Sequence, residues 1–269
     1  MRACFYPYHK ESVMPTLVRS ALRPCLLLAL CALGTSQALA QQTTVGVGVG
    51  FAPKYEGADS YDGRFYPLLS HRNGHFFLAP KAGMPAIGLQ TNLTDNWTIG
   101  TYAALARARK SGDADRLYGT DDIDRHGNLG VFTAYQLGNA KIEGSYYQAL
   151  KSGYGATAVL DLSYRLWNDQ DSSFSLGAEL KWSNEKAMRT YFGVKSHEAA
   201  GSNGQLRTYR PDAGLRSYAL YGQYTHKISE SWSLQGLLGV NTLGEEAKDS
   251  PLVEKKSSIF GGVGLGYSF

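Results

Sequence analysis

The chain has 269 residues but only three cysteines, Cys4, Cys25 and Cys31, all within its first forty positions. A disulfide framework for the rest is therefore excluded, and something other than covalent cross-links must hold it together. Long hydrophobic runs are missing as well. No stretch approaches the roughly 18 consecutive apolar residues of a spanning helix, which excludes a helical membrane protein. A surplus of one charge is also absent once the first forty residues are set aside. Arg2, Lys10, Arg19, Arg23 and Glu11 lie there, so 27 basic and 23 acidic residues become 23 against 22. A net charge near +1 gives no electrostatic case for nucleic acid, despite a whole-chain pI of about 8.8.

Those first residues read as a leader. Met14–Ala40 carries Arg19 and Arg23, an apolar run from Cys25 to Leu33, and Ala38-Leu39-Ala40. This is the order of a secretory signal peptide, with cleavage expected before Gln41. Residues 1–13 are expected to reflect an upstream start, with Met14 the initiator. Leu28-Ala29-Leu30-Cys31 has a bulky Leu30 where a lipoprotein box needs a small residue, so a lipid anchor is not expected.

What is abundant is alternation. Val45, Val47, Val49 and Phe51 interleave with Thr44, Gly46, Gly48 and Gly50. Leu160, Leu162, Tyr164 and Leu166 interleave with Asp161, Ser163 and Arg165. The runs extend 10 to 13 residues, where soluble strands average about 5 or 6 and a tilted membrane strand needs about 9 to 11. The polar face is mostly Gly, Ser, Thr and Ala, which suits a crowded lumen better than bulk water. Trp97, Tyr135, Tyr154, Tyr164, Trp182, Trp232 and Tyr267 fall near strand ends, as in interfacial aromatic girdles.

The spacing predicts an all-β, transmembrane, antiparallel up-and-down barrel of twelve strands in a single domain, residues 41–269. The strands are expected at 43–53, 64–72, 75–83, 86–93, 97–109, 127–137, 140–150, 154–166, 173–183, 214–228, 231–243 and 257–269. Pro80 and Pro85 interrupt the third and fourth, leaving ten strands as the alternative. An even count puts both ends in the periplasm. The connections at 73–74, 94–96, 138–139, 168–172 and 229–230 are then short periplasmic turns, and 54–63, 110–126, 184–213 and 244–256 are long outer loops. "GGVGLGYSF", residues 261–269, predicts a final strand with glycine inward against the glycine-rich first strand.

Motifs along the whole mature length resemble the MipA/OmpV family of outer-membrane proteins: "GVGVGFAPKYEGAD", "RNGHFFL" at 72–78, "YFGV" at 191–194, "SPLV" at 250–253 and the closing "YSF". The resemblance implies location in the cell outer membrane among lipid and lipopolysaccharide. It also implies a scaffold role in murein (peptidoglycan) synthesis, joining a lytic transglycosylase to a bifunctional penicillin-binding protein. A narrow porin-like channel and a surface adhesin are the alternatives. Tyr267 and Phe269 match the terminal signal read by the barrel assembly machinery.

Chemistry-bearing clusters are few. Asp121, Asp122 and Asp124 in "GTDDIDRH" could bind a divalent ion if they converge, with Asp113 and Asp115 upstream. His71, His75, His126, His197 and His226 accompany no nucleophile motif, and "GVGVG" lacks the lysine and helix start of a phosphate loop. No catalytic or cofactor-binding residue is expected, and no enzyme activity. Glu143, Asp161, Arg165, Glu179 and Lys181 fall on the lumen face of consecutive strands, where opposite charges could pair or line a water path. Loop 184–213 predicts a short helix at "SNEKAMR", capped by Ser183 or Asn184, over the barrel mouth.

Overall fold

A computed structural model of the chain describes residues 42–269. The leader, the cleavage point, the Met14 start and the three cysteines lie outside those residues. Twelve antiparallel strands close on themselves: β1 (Gln42–Pro53), β2 (Tyr61–Asn73), β3 (Phe76–Lys81), β4 (Met84–Thr94), β5 (Trp97–Ala106), β6 (His126–Leu137), β7 (Ala140–Ala149), β8 (Ala156–Asn168), β9 (Ser172–Ser183), β10 (Gly214–Lys227), β11 (Trp232–Leu243) and β12 (Ser257–Ser268). Closure satisfies the backbone groups that hydrocarbon cannot, which is why alternation alone suffices to build a span.

The expected faces are present. Val47, Leu220, Leu238 and Val263 are exposed on the outside, as an apolar solvent requires. Trp97, Tyr135, Trp167, Trp232 and Tyr267 ring the short-turn end, and Phe51, Tyr61, Trp182 and Tyr218 the other. Tyr154 departs from the expectation. It precedes β8 and turns its ring against His126 in a loop, 4.7 Å away.

Inside, the glycines have a specific use. Six inward aromatics stand directly opposite a glycine on the next strand: Tyr66 on Gly48, Phe77 on Gly88, Tyr102 on Gly130, Phe132 on Gly100, Tyr221 on Gly177 and Phe260 on Gly239. At each of these glycines an added Cβ would run into the facing ring. Each ring thus packs against the inner wall over the neighbouring glycine, a cross-strand pairing that also fixes register. At closure Gly46, Gly48 and Gly50 pair with Gly266, Gly264 and Gly262, and Tyr66 and Leu68 lie across this seam.

Pro80 and Pro85 do not abolish strands. Ala82 and Gly83 form a two-residue turn with positive φ (49° and 76°), so Lys81–Met84 is the hydrogen-bonded pair. Pro80 and Pro85 then face one another as the next, non-bonded pair, and their ring nitrogens point away to the flanking strands. The flanking ladders respond. β4–β5 pairing begins at Ala86, and β2–β3 pairing is confined to His71–Leu78, Arg72–Phe77 and Asn73–Phe76. Of the connections opposite the short turns, this hairpin and 150–155 are brief, while 54–60, 107–125, 184–213 and 244–256 are long.

Candidate functional site

The four long loops pack into a cap with its own apolar core. Tyr55 and Ala58 from the first loop, Leu117 from the second, Val194 and Leu206 from the third and Leu252 from the fourth are buried together. In the third loop, helix α1 (Glu185–Phe192) sets Met188 and Phe192 against Leu243 and Ala247. Its cap is Asn184, whose Oδ1 accepts the amides of Ala187 at 3.0 Å and Ala156 at 3.1 Å, tying the helix start to β8. Helix α2 (Ser196–Gly201) follows, and α3 (Glu245–Lys248) lies in the fourth loop.

The motif segments meet here. Ser250 of "SPLV" donates its hydroxyl to the Phe192 carbonyl of "YFGV" at 2.6 Å. Glu254 donates its amide to the Gly57 carbonyl of "KYEGAD" at 2.8 Å, and Tyr55 Oη reaches the Leu252 carbonyl at 2.9 Å. Gly57 has φ of 97°, and a side chain there would strike Val253. Sequence reading placed these motifs apart; only the fold shows them in one contact.

A keystone lies beneath them. Arg216 at the top of β10 donates to Glu56 at 2.7 Å and stacks its guanidinium 4.0 Å from the Tyr191 ring. The Arg216 side chain is only 8% exposed. Burial pushes the Glu56 carboxyl up, but Arg216 and Lys181 outweigh it and hold Glu56 below its ordinary value. Burial, with Glu254 beside it, pushes the Tyr55 phenol well above its usual range.

The cap roofs a cavity of about 860 Å³ in the outer half of the lumen, lined partly by Asp161, Glu179, Lys181 and Tyr221. Pairing of the predicted lumen charges differs from expectation. Register sets Glu143, Asp161 and Glu179 directly opposite one another on β7, β8 and β9, so neighbouring strands offer like charges. Their partners come from elsewhere: Lys81 and Lys141 on Glu143, each at 2.8 Å, Lys181 on Glu179 at 2.8 Å, and the Tyr221 hydroxyl on Asp161 at 2.7 Å. Arg165 stands exposed toward the short-turn end, without an ion pair among the described residues.

The acidic run does not converge on an ion. Asp122 accepts the Ser111 amide at 2.8 Å, Asp124 pairs with Lys151, and Asp121 turns to Lys195 at 2.7 Å and His197 at 3.0 Å. Asp121 does approach His197 and Glu198. Both Glu198 oxygens, however, accept backbone amides, from Asp121 and Lys195, and the Lys195 ammonium occupies the Asp121 carboxylate. Hydrogen bonds from Lys195 and His197 hold Asp121 below its ordinary value. Ser172 Oγ lies 2.9 Å from His226 Nδ1, a pairing sequence did not reveal, but no carboxylate backs that histidine among the described residues.

A closed antiparallel barrel with an apolar outer band defines a bacterial outer-membrane protein. Residues 45–269 match the family described as MltA-interacting protein MipA, and the chain belongs to that family. It is 26% identical over 235 residues to the MltA-interacting proteins of Escherichia coli (strain K12) and Shigella flexneri, covering 84% of this chain and 90% of each relative. Similar solved structures include an outer membrane channel from Pseudomonas putida F1, with 14% identity, TM-score 0.44, and coverage of 88% of this chain and 98% of that one. Another is OmpT, an outer membrane protein of Vibrio cholerae, with 10% identity, TM-score 0.37, and coverage of 86% and 98%.

Proposed function

We propose that this barrel is a rigid outer-membrane platform that docks a lytic transglycosylase of the MltA kind, as the name of its relatives suggests. The observation that carries the reading is the packed cap over the outer mouth, joined below to a wall stiffened by ring-on-glycine pairs. Such a body presents a fixed surface. The periplasmic side offers the short-turn rim, where Arg72, Lys141, Arg165, Asp169, Asp171 and Lys227 are exposed. A rim contact of mixed charge suits a transient partner anchored in the same leaflet, and a bifunctional penicillin-binding protein would join through that enzyme. No catalytic role is proposed for the barrel.

Capture of a purified MltA-type transglycosylase by the detergent-solubilised barrel tests the reading. Retention that falls when Arg165 and Lys227 are reversed in charge supports it; absence of retention by the intact barrel sinks it. The charged cavity favours a second reading, a narrow solute path.

A further inference from the structure

The barrel wall is not of even height. Along β2, residues Tyr61–Ser70 pair with β1 on one side, yet beyond His71 no residue of β3 pairs with them on the other. The β3–β4 hairpin ends at Ala82-Gly83, level with the top of β5 but well below that of β2. Pro80 would face Leu69 if the ladder continued, and its missing N–H lies on that side. Pro67 sits within an unbroken β1–β2 ladder, so its nitrogen also faces this edge. Two prolines thus leave fewer unpaired donors where hydrocarbon would penalise them. Phe65, on the outer face of the same stretch, is 90% exposed, and space is open around Gly63 and Gly83.

The lumen cavity runs to this notch, for Arg64 of β2, the Ala82-Gly83 tip and Ala106-Arg107 at the top of β5 all line it. The charge there is mainly basic, with Asp62 and Asp113 the carboxylates nearby on the lining. Arg107 and Arg125 occupy opposite positions where the β5–β6 register continues to the Arg109–Ile123 bridge, an arrangement of like charges that is unfavourable without a counter-ion. Arg107, Arg109 and Arg125 have no ion pair among the described residues, while Arg64 reaches Asp62 only at 4.0 Å. Arg64 Nε and Arg109 Nε are buried with no hydrogen-bond partner, though Arg109 Nη1 donates to the Tyr191 carbonyl at 2.7 Å. A buried guanidinium keeps its charge, and an unmet donor on it is costly.

We infer that the gap between β2 and residues 107–109, above the β3–β4 hairpin, is a lateral portal that takes an acylated, phosphate-bearing lipid of the outer leaflet. Its anionic head enters the cavity against Arg64, Arg107 and Arg109, and its chains remain along Phe65 and the unpaired edge of β2. Arginine forks match phosphate oxygens, and the surrounding bilayer supplies the chains without dehydrating them. The inference stands independently of any periplasmic partner.

The test uses the full barrel in a non-ionic detergent, given dioleoyl phosphatidic acid, dioleoyl phosphatidylcholine or inorganic phosphate, with bound species counted by native mass spectrometry. Phosphatidic acid is expected to be retained about tenfold more tightly than phosphatidylcholine, and Arg107→Gln to remove about that factor. Arg107 is exposed and has no ion pair, so this variant is expected to fold; Arg64→Gln serves as the second variant. A photo-activatable phosphatidic acid should cross-link within 61–70 and 79–84. Equal retention of both lipids, cross-links spread evenly around the barrel, or binding of inorganic phosphate without lipid preference would each overturn the portal.

Discussion

Replacing Glu56 by glutamine removes one charge from the pair that joins the first loop, β10 and α1. Arg216 remains 8% exposed, stacked on Tyr191, with a guanidinium that has lost its carboxylate. Breaking a buried pair in this one-sided way costs about 3–5 kcal/mol. Since about 1.4 kcal/mol is a factor of ten, the open form of the cap should become roughly a hundred- to several thousandfold more populated. The strands are held by their own ladders, so the effect should be local. Hydrogen exchange followed by mass spectrometry reads it directly. Amides of Glu185–Phe192 should exchange faster by about that factor, while those of β6 and β7 stay protected. Pairing Glu56→Gln with Arg216→Met, which removes the stranded charge, should restore most of the protection. An exchange rate at α1 within about threefold of the native protein, well inside the ~3–5 kcal/mol expectation, would refute the assignment of the pair as the cap's keystone.

Gly177→Ala places a methyl on the Tyr221 ring and should destabilise the barrel by about 1–3 kcal/mol in urea unfolding, with Gly177→Ala/Tyr221→Leu recovering part of the loss. Asp121 is held below its ordinary value by Lys195 and His197, so its contribution is complete above the ordinary carboxylate range and disappears as pH falls through the lowered value. Protection factors at Ser196–Gly201, taken relative to the intrinsic exchange rate at each pH, should therefore fall under acid, and protection unchanged from neutral pH downward would discount the tie. Phe269 is 77% exposed with its ring 5.0 Å from that of Tyr267, and its removal tests the expectation of an assembly signal. Its deletion should lower the outer-membrane yield without changing the spectrum of whatever barrel is recovered.

The strand count, the lipid face and the glycine seam were legible because a period of two, sustained over a bilayer's width, has no other common cause. Pro80 and Pro85 left ten strands open for a reason of register. A proline's effect depends on which neighbour its nitrogen faces, and only the Ala82-Gly83 turn fixes that. The partners of the lumen-face charges were not legible, because Glu143, Asp161 and Glu179 oppose one another only once the hairpin lengths are known. The cap was expected over the mouth from loop length and the Asn184 helix start. Its core joins Tyr55, Leu117, Val194 and Leu252 across distances in sequence that no local pattern encodes.

Single-channel recording in planar bilayers tests the platform reading most directly. A barrel whose long loops pack over its outer mouth should remain silent, and should conduct only after residues 186–211 of the cap are replaced by a short glycine linker. Stable, charge-selective openings of the intact protein, altered by Glu179→Gln or Lys181→Gln, would contradict it.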